Sequence, residues 1–362
     1  MNTTHRIAII GVGGIADIHA TCLIEDLPEA ELIGGSCRTE EKGREFAEKF
    51  NCAWYPDYKT MLDELSPDAV LVTTPSGAHL EAVEACAGKG IHALCEKPLE
   101  ISTARADQML ECAKKGGIHL GGVFQMRYSP LLQSIRETIS RGRFGTLSTI
   151  SAQVPWWRDN SYYAPERWQG TMALDGGGAL MNQSIHVVDT MQWLAAAFMP
   201  DLDANVNPVE EVFAYTGQRG HDPDLIEVED TAIVSLRFRN GGFGQILAAT
   251  SMFPGSNRRL LVAGQDGTAQ MEEDQLIQYG FREDEDADDE IRSRFAAAAK
   301  RGGASDPLAI DRSGHEANIR EFLKSIEDGK PSGIDGSEAR KAVAIVEAAY
   351  RSAKSGVPVR VE

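Results

Sequence analysis

The sequence predicts an α/β chain in two parts, a doubly wound parallel sheet followed by an α+β domain built on a mostly antiparallel sheet. Three observations predict it. The N-terminal third alternates short apolar runs with helix-compatible stretches, the order that builds a parallel sheet with helices on both faces. Its first apolar run, Ile7-Ala8-Ile9-Ile10, leads straight into Gly11-Val12-Gly13-Gly14-Ile15-Ala16. Beyond Phe124 the chain becomes strand-rich, with the hairpin signals Asn240-Gly241-Gly242 and Asp266-Gly267 and with helices set apart from the strands. These place one domain at residues 1–124 and a second at 125–362.

In order, the first strand and its glycine turn lead to helical sequence as far as Leu27. A strand follows at Glu31 to Cys37, a helix at Glu40 to Phe50, and a strand at Ala69 to Thr74 that stops at Pro75. Next come a helix at His79 to Gly88, a strand at Ile91 to Cys95, a helix at Ser102 to Lys115 and a strand at Ile118 to Val123. In the second part, Pro130 to Arg141 reads as helix and Thr146 to Val154 as strand. Pro155 to Trp168 is irregular and aromatic, and Ala179 to Ala197 is one helix. Strands then dominate from Glu211 to Tyr279, and helices return at Gly314 to Asp328 and Ser337 to Ser355.

A length of 362 residues suits about two domains of roughly 100–200 residues each. With 42% hydrophobic and 25% charged residues, the composition is that of a soluble globular protein. No apolar run approaches the ~20 residues of a membrane span, and no export segment precedes the first strand. The cytoplasm is the expected location. The six cysteines lie in the first third without C-x-x-C spacing, which reads as reduced structural thiols. A formal charge of −18 disfavours nucleic acid and anionic membranes as partners. The acidic run Glu283 to Glu290 reads as a solvated loop or helix end, and no metal is expected.

Glycines at 11 and 13 remove side chains where a backbone must bend and approach a pyrophosphate. The helix beyond them, with Gly14, Ile15 and Ala16 in its first turn, offers free N–H groups and a positive dipole end. The second strand ends in Ser36-Cys37-Arg38-Thr39, with no carboxylate to hold both hydroxyls of an NAD ribose. Arg38 with Ser36 and Thr39 suits a 2′-phosphate, which favours NADP. The alternative is a solvated Arg38, with Glu40 or Glu41 reaching the ribose of NAD.

Further motifs are Thr74-Pro75-Ser76-Gly77-Ala78-His79, Cys95-Glu96-Lys97-Pro98 and the block from Gly176-Gly177-Gly178 to His186. With the glycine turn, and with Gly314-His315 to Phe322 and Gly356-Val357-Pro358-Val359, they make the chain resemble the Gfo/Idh/MocA oxidoreductases over nearly its whole length. The resemblance implies a Rossmann domain, then a domain whose large open sheet covers the cofactor, and assembly as homodimers or homotetramers. It adds Thr74, Pro75, His79, Glu96 and Lys97 to the cofactor-binding set.

It also implies that Lys97 is the catalytic lysine and His186 the proton donor or acceptor. A secondary alcohol gives up a hydride only as its hydroxyl proton leaves, so a base of near-neutral pKa suits the task. A lysine beside the reacting oxygen steadies developing negative charge. Asn182 stands where sugar and polyol dehydrogenases of the family often have aspartate. Four residues before His186 on one helix face, it is expected to hydrogen-bond the same substrate. Around this pair, Gln125, Arg127, Trp157, Arg158 and Tyr163 offer the aromatic faces and planar donors that suit a sugar. The plainer alternatives are a surface lysine, a helical histidine packed under Trp193, core tryptophans and arginines in ion pairs.

The expectation is an NAD(P)-dependent dehydrogenase of a sugar, cyclic polyol or sugar derivative. A rival is transient sugar oxidation that labilises a leaving group without net redox change. Another is a non-catalytic dinucleotide sensor.

Overall fold

The computed structural model describes residues 4–296 and 312–362. The chain divides into one unit of Met1–Gln125 with Asp311–Arg340 and another of Met126–Ile310 with Lys341–Glu362. By packing, the segment 311–340 groups with the first unit rather than with the rest of 125–362. Its helix supplies Ile319, Phe322 and Leu323 to the core of Ile7, Ile9, Leu23, Leu71 and Leu94, apolar contacts that N-terminal sequence patterning cannot reveal.

In the first unit, β1 (His5–Ile10) enters α1 (Gly14–Thr21), which relaxes into a π turn at Cys22–Asp26. Then follow β2 (Ala30–Ser36), α2 (Glu40–Phe50), β3 (Ala53–Tyr55), α3 (Tyr58–Leu65), β4 (Ala69–Val72), α4 (His79–Ala87), β5 (His92–Cys95), α5 (Thr103–Gly116) and β6 (Leu120–Gly122). Sequence patterning missed β3 and α3, because three half-buried residues and eight helical ones carry too few periods to register. The six strands are parallel in the order β3-β2-β1-β4-β5-β6. β1 is buried everywhere but Arg6 and β4 throughout, as central strands covered on both faces must be. The order reverses between β1 and β4, so the crevice beyond their carboxyl ends is where such a sheet binds ligands.

The second unit holds α6 (Pro130–Ser140), β7 (Leu147–Pro155), α7 (Ile185–Ala197), β8 (Val209–Gly217), β9 (Thr231–Phe238), β10 (Phe243–Ala249), β11 (Arg259–Gly264), β12 (Gly267–Glu272), β13 (Gln275–Phe281) and α8 (Asp286–Phe295). After α9 (Ser313–Asp328) in the first unit, the chain ends with α10 (Gly336–Ser355) and β14 (Val359–Arg360). The eight strands run β13-β12-β11-β7-β10-β9-β8-β14, antiparallel except where β10 pairs parallel with β7. Strict alternation of burial along β9 shows one face packed and one open.

The single helix expected over 179–197 is two pieces. Ala179–Gln183 is a π turn, and α7 starts anew after Ser184 at φ −108°, ψ 0°. Asn182 and His186 therefore do not share an α-helical face at four-residue spacing. The acidic run caps α8, with Glu285 and Asp288 in a reciprocal capping box that Arg143 bridges. Among the described residues no helix is long and apolar enough to cross a membrane, and no group of three or more His, Cys, Asp or Glu could hold a metal ion.

Candidate active site

Gly11 sits at φ +100°, and a Cβ there would lie 2.6 Å from the Thr74 backbone nitrogen, so only glycine lets the first turn pack against the end of β4. Thr73 Oγ1 donates to the Gly11 carbonyl at 2.6 Å, and Gly11 N–H donates to the Ser36 carbonyl at 2.8 Å. The ends of β1, β2 and β4 are thus tied together. Gly13 differs in kind: it is exposed, and a Cβ there would meet no protein atom within 4 Å. As the N-cap of α1 it brings no side chain to the first-turn N–H groups, which stay available to an anion. Gly14 is exposed, Ile15 half-buried, and Ala16 fully buried at the helix–sheet contact. Thr74, before Pro75, holds a buried Oγ1 with no hydrogen-bond partner. An open cradle, a bare helix N-terminus and an orphaned hydroxyl at one end of the sheet fit a dinucleotide. At the end of β2, Ser36 is buried while Arg38 and Thr39 are exposed, and Glu40 pairs with Arg44 one helical turn on.

His79 is held by backbone carbonyls. It is buried, with Nδ1 3.0 Å from the Pro98 carbonyl and Nε2 3.0 Å from that of Thr74. The ring staples two strand-end loops together. Glu96 is also held by protein groups. One carboxylate oxygen lies 2.8 Å from His19 Nε2, and the other accepts the Lys97 backbone N–H at 3.0 Å. Burial would push this acid up, but the hydrogen bond and charge of His19, with His315 and Lys97 beyond, hold it down to about 2. Lys97, half-buried, follows directly. Gln125, at the end of this stretch of the first unit, buries an Oε1 that has no hydrogen-bond partner.

In the second unit, the glycine block exists to be packed tightly. A Cβ on Gly177 would lie 2.1 Å from the Tyr350 hydroxyl, and one on Gly178 2.0 Å from the Glu229 carbonyl. The Glu229 carboxylate accepts the N–H groups of Gly178 and Leu180 and the Tyr350 hydroxyl, pinning the π turn. Buried Asn182 donates to Asp175 at 2.6 Å and accepts from Gln183 at 3.2 Å. Gln183 also donates to Tyr162 and accepts from Arg158, at 2.8 and 2.9 Å. Asn182 and Arg158 thus belong to one network. His186 lies in the first turn of α7, and between Ile185 and Ala195 it is the one residue that is half-exposed rather than buried.

Three expected substrate residues have protein partners. Arg127 is buried and forms a two-pronged pair with Asp189, at 2.7 and 2.5 Å, beside the Trp193 ring. Tyr163 is buried, donates to Thr250 Oγ1 at 2.9 Å and packs on Ile226 and Val228. Trp157 stacks on His221 with the rings 18° from parallel. His221 in turn faces Asp230 and the Arg158 carbonyl, at 3.0 and 2.7 Å. Burial disfavours charge on His221, but these two acceptors outweigh it and raise the pKa. Sequence reading missed His19, Asp175, Gln183, Glu229 and His221, all of which act on other protein groups. Only His19 carries a local signal, three residues past the last small residue of the glycine turn.

The chain matches the family description "Oxidoreductase family, NAD-binding Rossmann fold" over residues 5–121, and its companion "C-terminal alpha/beta domain" over 136–361. It belongs to the Gfo/Idh/MocA oxidoreductase family. It is 27% identical to the myo-inositol 2-dehydrogenase of Thermotoga maritima, across 99% of this chain and 98% of that one. It is 30% identical to the D-glucoside 3-dehydrogenase of Escherichia coli, across 66% and 68%. Among solved structures, the WlbA dehydrogenase of Bordetella pertussis in complex with NADH and UDP-GlcNAcA aligns at a TM-score of 0.86 and 27% identity, covering 99% of this chain and 98% of the other. The first unit is therefore an NAD-binding Rossmann domain, and the protein is a dehydrogenase of this family.

Proposed function

We propose that this protein moves a hydride between a nicotinamide cofactor and a secondary hydroxyl, or the matching ketone, of a sugar, cyclic polyol or sugar derivative. The observation that carries the reading is His186, the one half-exposed residue in the otherwise buried stretch Ile185–Ala195 of α7. Imidazole is the side chain whose ordinary pKa suits proton transfer near neutral pH. In this reading His186 takes the hydroxyl proton on its imidazole, while the Lys97 ammonium steadies the oxygen as negative charge develops on it. Asn182, its amide set by Asp175, hydrogen-bonds a neighbouring hydroxyl. Gly11, Gly13 and the first turn of α1 hold the pyrophosphate. The cofactor supplies the hydride acceptor or donor. The relatives that share most of the chain's length support a polyhydroxylated ring as substrate, since their names specify inositol, a glucoside and a nucleotide sugar acid.

NADP is preferred over NAD in this reading, because Arg38 is exposed at the end of β2 and no acid stands there. The open face of the second unit's sheet presents Tyr215, Ile233 and Phe243, at 67%, 45% and 61% exposure. Such a patch supports a homodimer or homotetramer. The cytoplasm is its place. The test is a panel of myo-inositol, methyl glucosides and UDP-sugar acids read at the nicotinamide absorbance band, with Lys97→Ala and His186→Ala alongside. Each substitution is expected to lower turnover sharply with cofactor affinity largely intact. Full turnover in either variant overturns its role.

A further inference from the structure

We propose that His19 is a positioning residue for Lys97, acting through Glu96 as a buried clasp between the helix of the cofactor turn and the loop that carries the lysine. The proposal rests on the reading of Lys97 given above, and its geometry lies wholly within the first unit. His19 is on the last turn of α1, the helix whose N-terminus is the glycine turn. Glu96 ends the β5 loop one residue before Lys97, and its two oxygens face opposite ways. One meets His19 Nε2 at 2.8 Å and the other holds the Lys97 N–H at 3.0 Å.

His19, Glu96 and His315 are 1%, 6% and 1% exposed, so water cannot replace a lost partner. The His315 ring meets His19 edge-on at 5.3 Å and closes the far side. His19 Nδ1 is buried without a hydrogen-bond partner, so the ring's polar contact is the one it makes with Glu96. A carboxylate that loses His19 has to turn toward another donor. The nearest one bonded to it is the Lys97 N–H, so any turn moves the lysine's backbone.

The test measures Lys97 directly and needs no substrate. Wild type, His19→Leu and His19→Gln, each saturated with NADH, are labelled with sulfo-NHS acetate, and the acetylation rate of Lys97 is read by peptide mass spectrometry. NADH affinity comes from calorimetry, and kcat and KM from whichever sugar the wild type turns over. His19→Leu is expected to change the Lys97 rate several-fold and to lower kcat by about 10–100-fold, with KM and NADH affinity near wild type. His19→Gln, whose amide nitrogen takes the place of Nε2, is expected to recover most of both.

An unchanged labelling rate in His19→Leu overturns the proposal, as does a His19→Gln no better than His19→Leu. If His19→Leu does not fold, His19→Asn carries the test. Its amide keeps the pocket polar but is too short to reach the Glu96 oxygen that Nε2 meets at 2.8 Å. The Lys97 rate is expected to shift as in His19→Leu, and a wild-type rate overturns the clasp. Full turnover in Lys97→Ala would sink the catalytic reading alone and leave the labelling result to judge His19.

Discussion

Replacing Arg127 with methionine separates an ion pair that builds the fold from one that binds a ligand. The guanidinium and the Asp189 carboxylate are 4% and 1% exposed and meet through two hydrogen bonds. Arg127→Met keeps much of the side chain's length and its apolar contact beside Trp193, but leaves the Asp189 charge buried without its cation. Breaking one side of such a pair costs about 3–5 kcal/mol. In a unit of this size each kcal/mol is worth roughly 2–4 °C, so the melting temperature should fall by about 6–20 °C. Differential scanning calorimetry reads the shift. The double variant Arg127→Met with Asp189→Leu should regain part of it, because no charge is left stranded, although buried Gln192 loses its Asp189 acceptor. An unchanged melting temperature with a raised KM for the sugar would refute the reasoning and return Arg127 to the substrate.

Other substitutions test the cofactor side. Gly13→Val should leave the melting temperature near that of wild type, since space is open there at extended φ, yet weaken NADH binding by at least about tenfold by filling the pyrophosphate approach; calorimetry reads both. Arg38→Asp should shift the ratio of NADP to NAD affinity by at least about tenfold toward NAD, measured by titrating each cofactor. Glu96 titrates at about 2 when folded against 4.5 as a free acid, so its stabilising contribution is complete above pH 4.5 and is lost as the pH falls toward 2. That contribution is about 3 kcal/mol. Glu96→Gln should flatten the acid limb of the stability curve, and a limb as steep as wild type would remove Glu96 from the account.

Sequence alone exposed what depends on local patterning. Short apolar runs and glycine punctuation located five of the six parallel strands, and Asn240-Gly241 and Asp266-Gly267 located two hairpins. The cofactor turn was legible for the same reason, since Gly11 and Gly13 are adjacent in sequence to the helix they serve. Lys97 and His186 were singled out only through resemblance. What stayed hidden depends on partners far along the chain. Arg127 reads like a ligand-binding arginine until Asp189, 62 residues later, takes its charge. His79 reads like a cofactor contact until the carbonyls of Thr74 and Pro98 close on both its nitrogens. Asn182 and His186 looked like helical neighbours because a π turn carries no compositional mark that distinguishes it from an α-helix.

The return of residues 311–340 to the first unit sets an order of assembly on the growing chain. When residue 125 leaves the ribosome, the parallel sheet has all six strands but lacks Ile319, Phe322 and Leu323, which its core requires. At roughly 5–20 residues per second, the 186 residues from 125 to 311 take about 10–40 s to synthesise. Through that interval the face awaiting α9 presents apolar side chains to the cell. The N-terminal domain is thus first to be translated and among the last to be finished, and a ribosome stalled before α9 would release a sheet with an open, adhesive side.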